Sequence, residues 1–257
     1  MPADRPKTGK QAAARQRIAD KRAAEARARE QEQRRRRTVI GGAVAGVLVV
    51  VAVIVVVIVQ TQRTSTSTDA AVPSLAAEDG TAFVVGDEDA PVTVDVYEDF
   101  LCPACRQFEE SAGQTLTALV DDGTVQLRYR PMAFLDQAST DDYSTRALNA
   151  AAVVGEAAGI DGFVQFHHAL FAEQPAEGGP GLSDERLVEL AAEAGATGDD
   201  VADGITGLRF EDWTEQVTDA ASRAGVTGTP TVLVDGEALE APTAEALSAA
   251  VAAAAGE

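Results

Sequence analysis

The residues of this chain with the clearest capacity for chemistry are its two cysteines, Cys102 and Cys105, which are separated by Pro103 and Ala104. Two thiols at this spacing can close a local disulfide and pass it to another pair of thiols. A strand is predicted to end just before Cys102, and a helix to begin just after it. Unpaired N–H groups and the helix dipole at such a helix start favour a thiolate over a thiol. We therefore expect Cys102 to be the exposed nucleophile and Cys105 to be the resolving thiol one turn inside the helix.

Two other uses of such a cysteine pair fit this sequence less well. Half of a zinc site would need a second pair of ligands, and the chain has no further cysteine. An inert disulfide around so short a loop would restrict the unfolded chain little and would stabilise the fold weakly. Thiol–disulfide exchange is therefore the favoured interpretation. It requires no bound cofactor, because the cysteine pair itself carries the electrons.

The elements predicted around the cysteines form an α/β domain over residues 81–257. VTVDVY at 92–97 alternates β-branched residues and predicts a strand, a helix is expected over about 103–120, and VQLRYR at 125–130 predicts a second strand. A strand, a helix and a strand within so short a stretch indicate a βαβ unit with parallel strands. The elements expected after this unit are helices near 143–158, 162–173, 183–194, 199–206 and 209–224, a hairpin of strands 231–234 and 238–240 joined at Asp235-Gly236, and a terminal helix over 242–254.

Three segments resemble the DsbA-like oxidoreductases of the thioredoxin-fold superfamily: YEDFLCPACRQFE (97–109), FHHALFAEQP (166–175) and GVTGTPTVLVDG (225–236). The chain is most similar to the membrane-anchored members of Gram-positive bacteria. The resemblance implies a thioredoxin fold with an all-helical insertion over about 143–224. It also implies a cis peptide bond between Thr229 and Pro230 close to the cysteines, and pairing of the Thr229 backbone with an extended substrate peptide.

The sequence departs from the family at two positions that affect redox chemistry. Strongly oxidising members carry His between the cysteines, whereas this chain has Ala104 there, so Pro103 and Ala104 are the residues expected to tune the pair. Many thioredoxin-fold enzymes carry a buried acid six residues before the first cysteine, where this chain has Val96. Glu98 and Asp99 lie nearby and are candidates for the missing proton relay.

Opposing charges near Cys102 leave its reduction potential open. Negative charge on Glu98 or Asp99 would oppose a thiolate, whereas Arg106 would favour one if its side chain turned towards the cysteines. We therefore expect the pKa of Cys102 to be lowered, without a commitment to a strongly oxidising potential.

Charge is sorted along the chain in a way that predicts a membrane topology. The net charge of −20 combines a basic segment at 1–38, an uncharged apolar segment at 39–59 and an acidic remainder at 60–257. About 20 apolar residues suffice to cross a bilayer, so we expect 39–59 to be a single transmembrane helix. Four arginines immediately precede it, and the positive-inside rule then places the N-terminus in the cytoplasm and the cysteines outside.

The segments beside this helix carry expectations of their own. The basic tail at 1–38 is expected to contact anionic lipid, and the Thr/Ser-rich segment at 60–80 is expected to be a flexible linker. A cleaved signal peptide is the alternative to an anchor, although its apolar region and its basic leader would be shorter. Nucleic acid is not an expected partner, because the acidic domain would repel phosphates.

Other side chains give weaker signals. The only histidines, His167 and His168, are adjacent on a predicted helix and would point about 100° apart. We expect them to have a helix-surface or interface role, and we assign no metal ligand. Phe83, Phe100 and Phe134 are expected either in the core or along a substrate groove.

The leading functional hypothesis is an extracytoplasmic oxidase that forms disulfides in exported proteins. The resemblance implies that a membrane quinone-linked partner of the DsbB or vitamin K epoxide reductase type reoxidises the enzyme. Two alternatives stay open. One is a disulfide reductase or isomerase with the same fold, for example in cytochrome maturation, and the other is a non-catalytic binding module or chaperone.

Overall fold

The computed structural model describes residues 70–256. Its elements follow the expected order of strand, helix and strand, then helices, then a hairpin and a terminal helix. The expected tail at 1–38, the expected membrane helix at 39–59 and the first part of the expected linker lie outside the described residues. The strands are β1 Phe83–Val85, β2 Val92–Glu98, β3 Val125–Pro131, β4 Thr231–Val234 and β5 Glu237–Ala238, and the helices are α1 Pro103–Asp121, α2 Tyr143–Ala172, α3 Asp184–Glu193, α4 Asp199–Thr206, α5 Glu211–Arg223 and α6 Ala244–Ala254.

A five-stranded sheet in the order β1-β3-β2-β4-β5 leads from the end of its central strand into the cysteine pair. β2 pairs in parallel with β3, which confirms the predicted βαβ unit, and it pairs antiparallel with β4. Val92, Val94 and Val96 on β2 are fully buried, as β-branched residues on a central strand should be. The edge strand β1 pairs antiparallel with β3 and is an element that the sequence pattern does not predict.

Helix α1 connects β2 to β3 and buries the face that carries the second cysteine. Its buried residues are Cys105, Phe108, Ala112 and Leu116, which are spaced three to four apart and therefore share one side of the helix. The packing of this side against the core holds Cys105 inside the domain, whereas Cys102 stands at the start of the helix.

Helices α2 to α5 form the expected all-helical insertion between β3 and β4. α2 is one element of 30 residues, but Gly159 within it has a non-helical backbone with φ 72° and ψ −170°. The two helices expected here are therefore joined through a kink. Among the described residues, α2 is a helix long and apolar enough to cross a membrane. It packs against α3, α4 and α5 and is mostly buried, which identifies it as a core helix of the domain.

The sequence predicts that the domain begins at Thr81, but the packed structure begins several residues earlier. Leu75 packs against the core cluster. The indole Nε1 of Trp213 donates a 2.7 Å hydrogen bond to the carbonyl of Gly80. The last residues of the expected linker are therefore held by the core and by α5.

The C-terminal hairpin follows the predicted turn with a small shift. Asp235 and Gly236 have φ values of 48° and 84°, which is the left-handed backbone of a two-residue hairpin turn. The partner strand is Glu237–Ala238 and begins one residue before the expected 238–240. The Asp235 carboxylate accepts a 2.8 Å hydrogen bond from the N–H of Thr93, which ties the turn to β2.

Candidate active site

Cys102 is the N-cap residue of α1 and places its sulfur at the start of that helix. Its Sγ accepts a hydrogen bond from the N–H of Cys105 at 3.4 Å. The Cys102 thiol also donates to the carbonyl of Thr229 at 3.3 Å. Pro103 follows in the first turn, where its missing N–H leaves no broken hydrogen bond. Both cysteines are buried, which differs from the expected exposure of Cys102, because the Thr229 loop lies against its sulfur. Cys102 is still the more accessible of the two, with a relative exposure of 5% against 0% for Cys105.

The two thiols have pKa values shifted in opposite directions. The pKa of Cys102 is lowered from 9.0 to about 6, chiefly because the Cys105 thiol donates a hydrogen bond to it, with further donation from backbone N–H groups of Ala104 and Cys105. Burial raises the pKa of Cys105 far above its ordinary value. Cys102 is therefore mostly a thiolate at pH 7, as expected, while Cys105 keeps its proton. The helix start contributes to this shift, but the neighbouring thiol contributes more.

The loop before β4 lies against the cysteines. The peptide bond between Thr229 and Pro230 is cis, as the resemblance implies. The Thr229 carbonyl faces the Cys102 sulfur, and both loop residues are partly exposed. Pro103 and Ala104, which follow Cys102 in the chain, are exposed. An extended peptide that approaches Cys102 would therefore meet the backbone of Thr229.

Asp99 is buried and committed to holding the loop after β3. Its carboxylate accepts hydrogen bonds from the N–H groups of Leu101, Phe134 and Leu135 at 2.7–2.8 Å and from the Ser144 hydroxyl at 2.7 Å. Burial raises the pKa of Asp99 to about 6, and these hydrogen bonds limit that rise. Asp99 therefore positions the loop beside the active-site turn. With all four donors satisfied, it is less suited to a proton relay than Glu98.

Glu98 lies at the end of β2 and is completely buried. Its Oε1 is 2.5 Å from Nε2 of His167, and its Oε2 has no hydrogen-bond partner. Burial raises the pKa of Glu98 well above its ordinary value, and the charges of Asp99 and Cys102 add to the rise. Burial therefore disfavours the charged form of Glu98 beside the Cys102 thiolate.

The expected surface or interface role of His167 is wrong. The side chain has 0% exposure, and its ring lies 4.4 Å from the ring of Tyr129 and 5.0 Å from that of Phe171. The reason is periodicity, since His167 lies four residues after Phe163 and four before Phe171, on the core face of α2. Of the two histidines, only His168 is on the exposed side of that helix.

The three phenylalanines that were expected either in the core or along a substrate groove lie in different environments. Phe83 and Phe100 are fully buried and belong to the core. Phe134 is 44% exposed in the loop that Asp99 holds. An apolar side chain therefore stands in solvent on the loop beside the active-site turn.

Two polar side chains near the cysteines, Arg106 and Gln174, make contacts that the sequence does not predict. Arg106 pairs with Glu110 at 2.8 Å on the exposed face of α1, so its guanidinium is not turned towards the Cys102 thiolate. Gln174, just after α2, donates from Nε2 to the carbonyls of Phe100 and Cys102 at 3.0 and 2.9 Å. Gln174 thus fixes the active-site turn to the helical insertion. The segment that contains it was part of the resemblance, but nothing in its pattern singles out this side chain.

The site combines a reactive thiolate at a helix start, a protonated thiol one turn inside and a cis-proline loop against the first sulfur. This combination defines a thioredoxin-fold protein that carries out thiol–disulfide exchange. The comparison with protein families agrees with this class. The family model described as thioredoxin matches residues 78–253. The chain therefore belongs to the thioredoxin family, and its fold and paired cysteines make it a DsbA-like thiol–disulfide oxidoreductase.

Solved structures of similar proteins support this assignment. Reduced DsbA from Mycobacterium tuberculosis has 38% sequence identity and a TM-score of 0.60, over 69% of this chain and 93% of that one. The reduced disulfide bond oxidoreductase DsbG from the same species has 39% identity and a TM-score of 0.61, over 71% of this chain and 90% of that one.

A curated relative matches this chain over only part of its own length. The serine/threonine-protein kinase PknE of Mycobacterium tuberculosis is 34% identical over 116 residues, which are 44% of this chain. The match spans only 20% of the kinase. The similarity therefore covers a fifth of that protein.

Proposed function

We propose that the chain is an extracytoplasmic thiol:disulfide oxidoreductase that forms disulfides in exported proteins through Cys102 and Cys105. The observation that carries this direction is the lowering of the Cys102 pKa to about 6. A thiol with a low pKa is a good leaving group, and its thiolate stabilises the reduced enzyme. An enzyme whose reduced form is stabilised tends to give its disulfide away.

The proposed reaction starts from a Cys102–Cys105 disulfide. A substrate thiolate attacks the Cys102 sulfur and forms a mixed disulfide, while the bond to Cys105 breaks and Cys105 leaves with the electron pair and takes up a proton. A second substrate thiolate then attacks the substrate sulfur of the mixed disulfide, and Cys102 leaves as a thiolate. The substrate loses two electrons and two protons; the enzyme gains both electrons and, at Cys105, one proton, and the other proton passes to solvent. The low pKa of Cys102 suits its departure as a thiolate, and the high pKa of Cys105 means that its sulfur takes up a proton once the disulfide has opened.

The substrate is proposed to bind as an extended peptide along Thr229 and Pro230. The position of the Thr229 backbone beside the Cys102 sulfur supports this. The exposed side chain of Phe134 offers an apolar contact near the same turn. The proposed contacts with the substrate are made through its backbone and its apolar side chains. Substrates with different sequences can therefore be accepted.

The location and the partners of the enzyme are proposed from the sequence. Segment 39–59 would cross the membrane once, with the basic tail in the cytoplasm and near anionic lipid and the cysteines outside. A membrane quinone-linked reoxidase of the DsbB or vitamin K epoxide reductase type would return the pair to the disulfide. An anchor in the same membrane would hold the domain close to that reoxidase at high effective concentration.

Trapping of thiols in intact cells tests the proposed direction. Cells are quenched with acid, free thiols are alkylated, and the state of Cys102 and Cys105 is read by mass spectrometry. An oxidase is expected to be mostly oxidised at steady state, whereas a mostly reduced pair would favour a reductase or isomerase. A cellular phenotype that survives Cys102→Ala would favour a binding module or chaperone. Activity of a reporter fused after Glu257 on the cytoplasmic side would contradict the proposed topology.

A further inference from the structure

We propose that Glu109, His167 and His168 form a binding site for a divalent transition-metal ion, with Zn²⁺ as the representative ion. Glu109 lies on α1, and the two histidines lie on α2. One ligand atom from each of the three side chains lies within 4.8 Å of the others. The site thus joins the helix that carries the cysteines to the helical insertion.

Unpartnered buried atoms at this place are the first support for a ligand. Among the described residues, five buried side-chain nitrogen or oxygen atoms lack a hydrogen-bond partner. Two of them are Nδ1 of His167 and Oε1 of Glu109, and a third is Oε2 of Glu98, whose other oxygen binds His167. Buried polar atoms without partners are rare in folded proteins, and a bound ion is one of the arrangements that satisfies them. Their concentration around one histidine therefore points to an ion.

The pairing of Glu98 with His167 is the second support. Histidines that bind metals usually donate their other ring N–H to a carboxylate or a carbonyl, which fixes the ring and its tautomer. Here Nε2 of His167 lies 2.5 Å from Oε1 of Glu98. That contact leaves Nδ1 of His167 as the nitrogen available to an ion.

A cavity of about 530 Å³ between α1 and α2 gives access to the site. His168 and Glu109 line it, together with Glu110, Asp121 and Arg106. Three carboxylates against one guanidinium make its lining acidic, and Arg106 is already paired with Glu110. Such a lining attracts cations, and the cavity side leaves room for a water molecule as a further ligand.

The ligand set selects the kind of ion. Two imidazoles with one carboxylate suit Zn²⁺ and neighbouring transition metals, whereas Mg²⁺ and Ca²⁺ prefer oxygen ligands. Zinc bonds of about 2.0–2.2 Å would place tetrahedral ligands about 3.4 Å apart. Ligand atoms now up to 4.8 Å apart must therefore approach, and His168 on the exposed side of α2 has the freedom to rotate. The site would bind its ion whichever way electrons flow through the cysteines.

Zinc binding to the oxidised full-length chain tests the proposal. The protein is kept in detergent, stripped of metal with a chelator and oxidised, so that the two thiols cannot bind the ion. Isothermal titration with Zn²⁺ is then compared for the wild type, Glu109→Gln, His168→Ala and Glu110→Gln. The last variant is the matched control, because Glu110 is the next acid on the same helix and lines the same cavity.

We expect one Zn²⁺ per wild-type chain, a loss of affinity of about tenfold or more in Glu109→Gln and His168→Ala, and little change in Glu110→Gln. Zinc-edge absorption spectra should show imidazole ligands, and these can come only from His167 or His168, because the chain has no other histidine. Mg²⁺ should not compete. Failure of the oxidised wild type to bind Zn²⁺, or equal binding by all four proteins without imidazole ligation, would overturn the proposal.

Discussion

Replacement of Cys105 by alanine should raise the pKa of Cys102. The pKa of Cys102 is lowered from 9.0 to about 6, which corresponds to a preference for the thiolate of about 4 kcal/mol. Donation from the Cys105 thiol is the largest cause of that lowering. Its removal leaves the hydrogen bond with Thr229 and those with the backbone N–H groups of Cys105 and Ala104, so we expect a rise of at least about one pKa unit, or about 1.4 kcal/mol. At pH 6 the thiolate fraction would then fall from about one half to about one tenth or less.

The rate at which iodoacetamide alkylates Cys102, followed by mass spectrometry across the acidic and neutral pH range, measures this change. The reduced full-length chain is used, and Cys105 does not interfere because its own pKa is raised. Cys105→Ser is the matched control: a hydroxyl still donates to the thiolate, so its midpoint should stay within about half a unit of the wild type. The reasoning is refuted if Cys105→Ala keeps the wild-type midpoint, or if the wild type itself titrates near 9.0.

Three further outcomes follow from the contacts and the pKa values. Relative to Cys102→Ala, the reduced wild type should be more stable at pH 7 and equally stable at pH 5. The Cys102 pKa is lowered on folding from 9.0 to about 6, so its stabilisation is complete above the unfolded value and is lost as the pH falls through the folded one, with about 1.4 kcal/mol present at pH 7 and almost none at pH 5. The raised pKa values of Asp99 and Glu109 act in the opposite direction in both proteins and cancel in the comparison. Urea unfolding at the two pH values measures this difference, and an equal pH dependence in Cys102→Ala would contradict it. Asp99→Ala should lower the free energy of unfolding by about 3 kcal/mol or more, because the four donors that it satisfies stay buried; a loss in urea unfolding below about 1 kcal/mol would show that the loop does not depend on this carboxylate. Trp213→Phe should cost about 1 kcal/mol through the lost hydrogen bond to the Gly80 carbonyl, and unchanged urea unfolding would mean that the segment before β1 is not held there.

The fold was largely predictable because its elements are encoded locally. The strand at 92–97, the helix from Pro103 and the hairpin at Asp235 depend on short-range periodicity and turn chemistry, and each has its expected place. β1 could not be predicted in the same way. It contributes three residues, Phe83–Val85, and it forms only because β3 offers an edge that lies far away in the sequence.

The cysteines and the cis-proline loop were predictable, whereas their buried surroundings were not. The motif and the resemblance led to Cys102, Cys105 and Thr229, and the pKa of Cys102 moves in the expected direction. The pairing of Glu98 with His167 joins residues 69 positions apart, so no local pattern reveals it. Spacing from the aromatic residues of α2 does place His167 on the core face, and that signal was available in the sequence.

The equilibrium of the cysteine pair with glutathione tests most directly that this chain donates disulfides. A pKa of about 6 for Cys102 lies between about 7 for thioredoxin and about 3.5 for DsbA. We therefore expect a reduction potential between about −270 mV and about −120 mV, the values of those two proteins. The full-length chain in detergent is equilibrated with glutathione buffers, and its redox state is read by mass spectrometry. A potential at or below about −270 mV would contradict the proposed oxidase, because such a pair would take disulfides from its substrates.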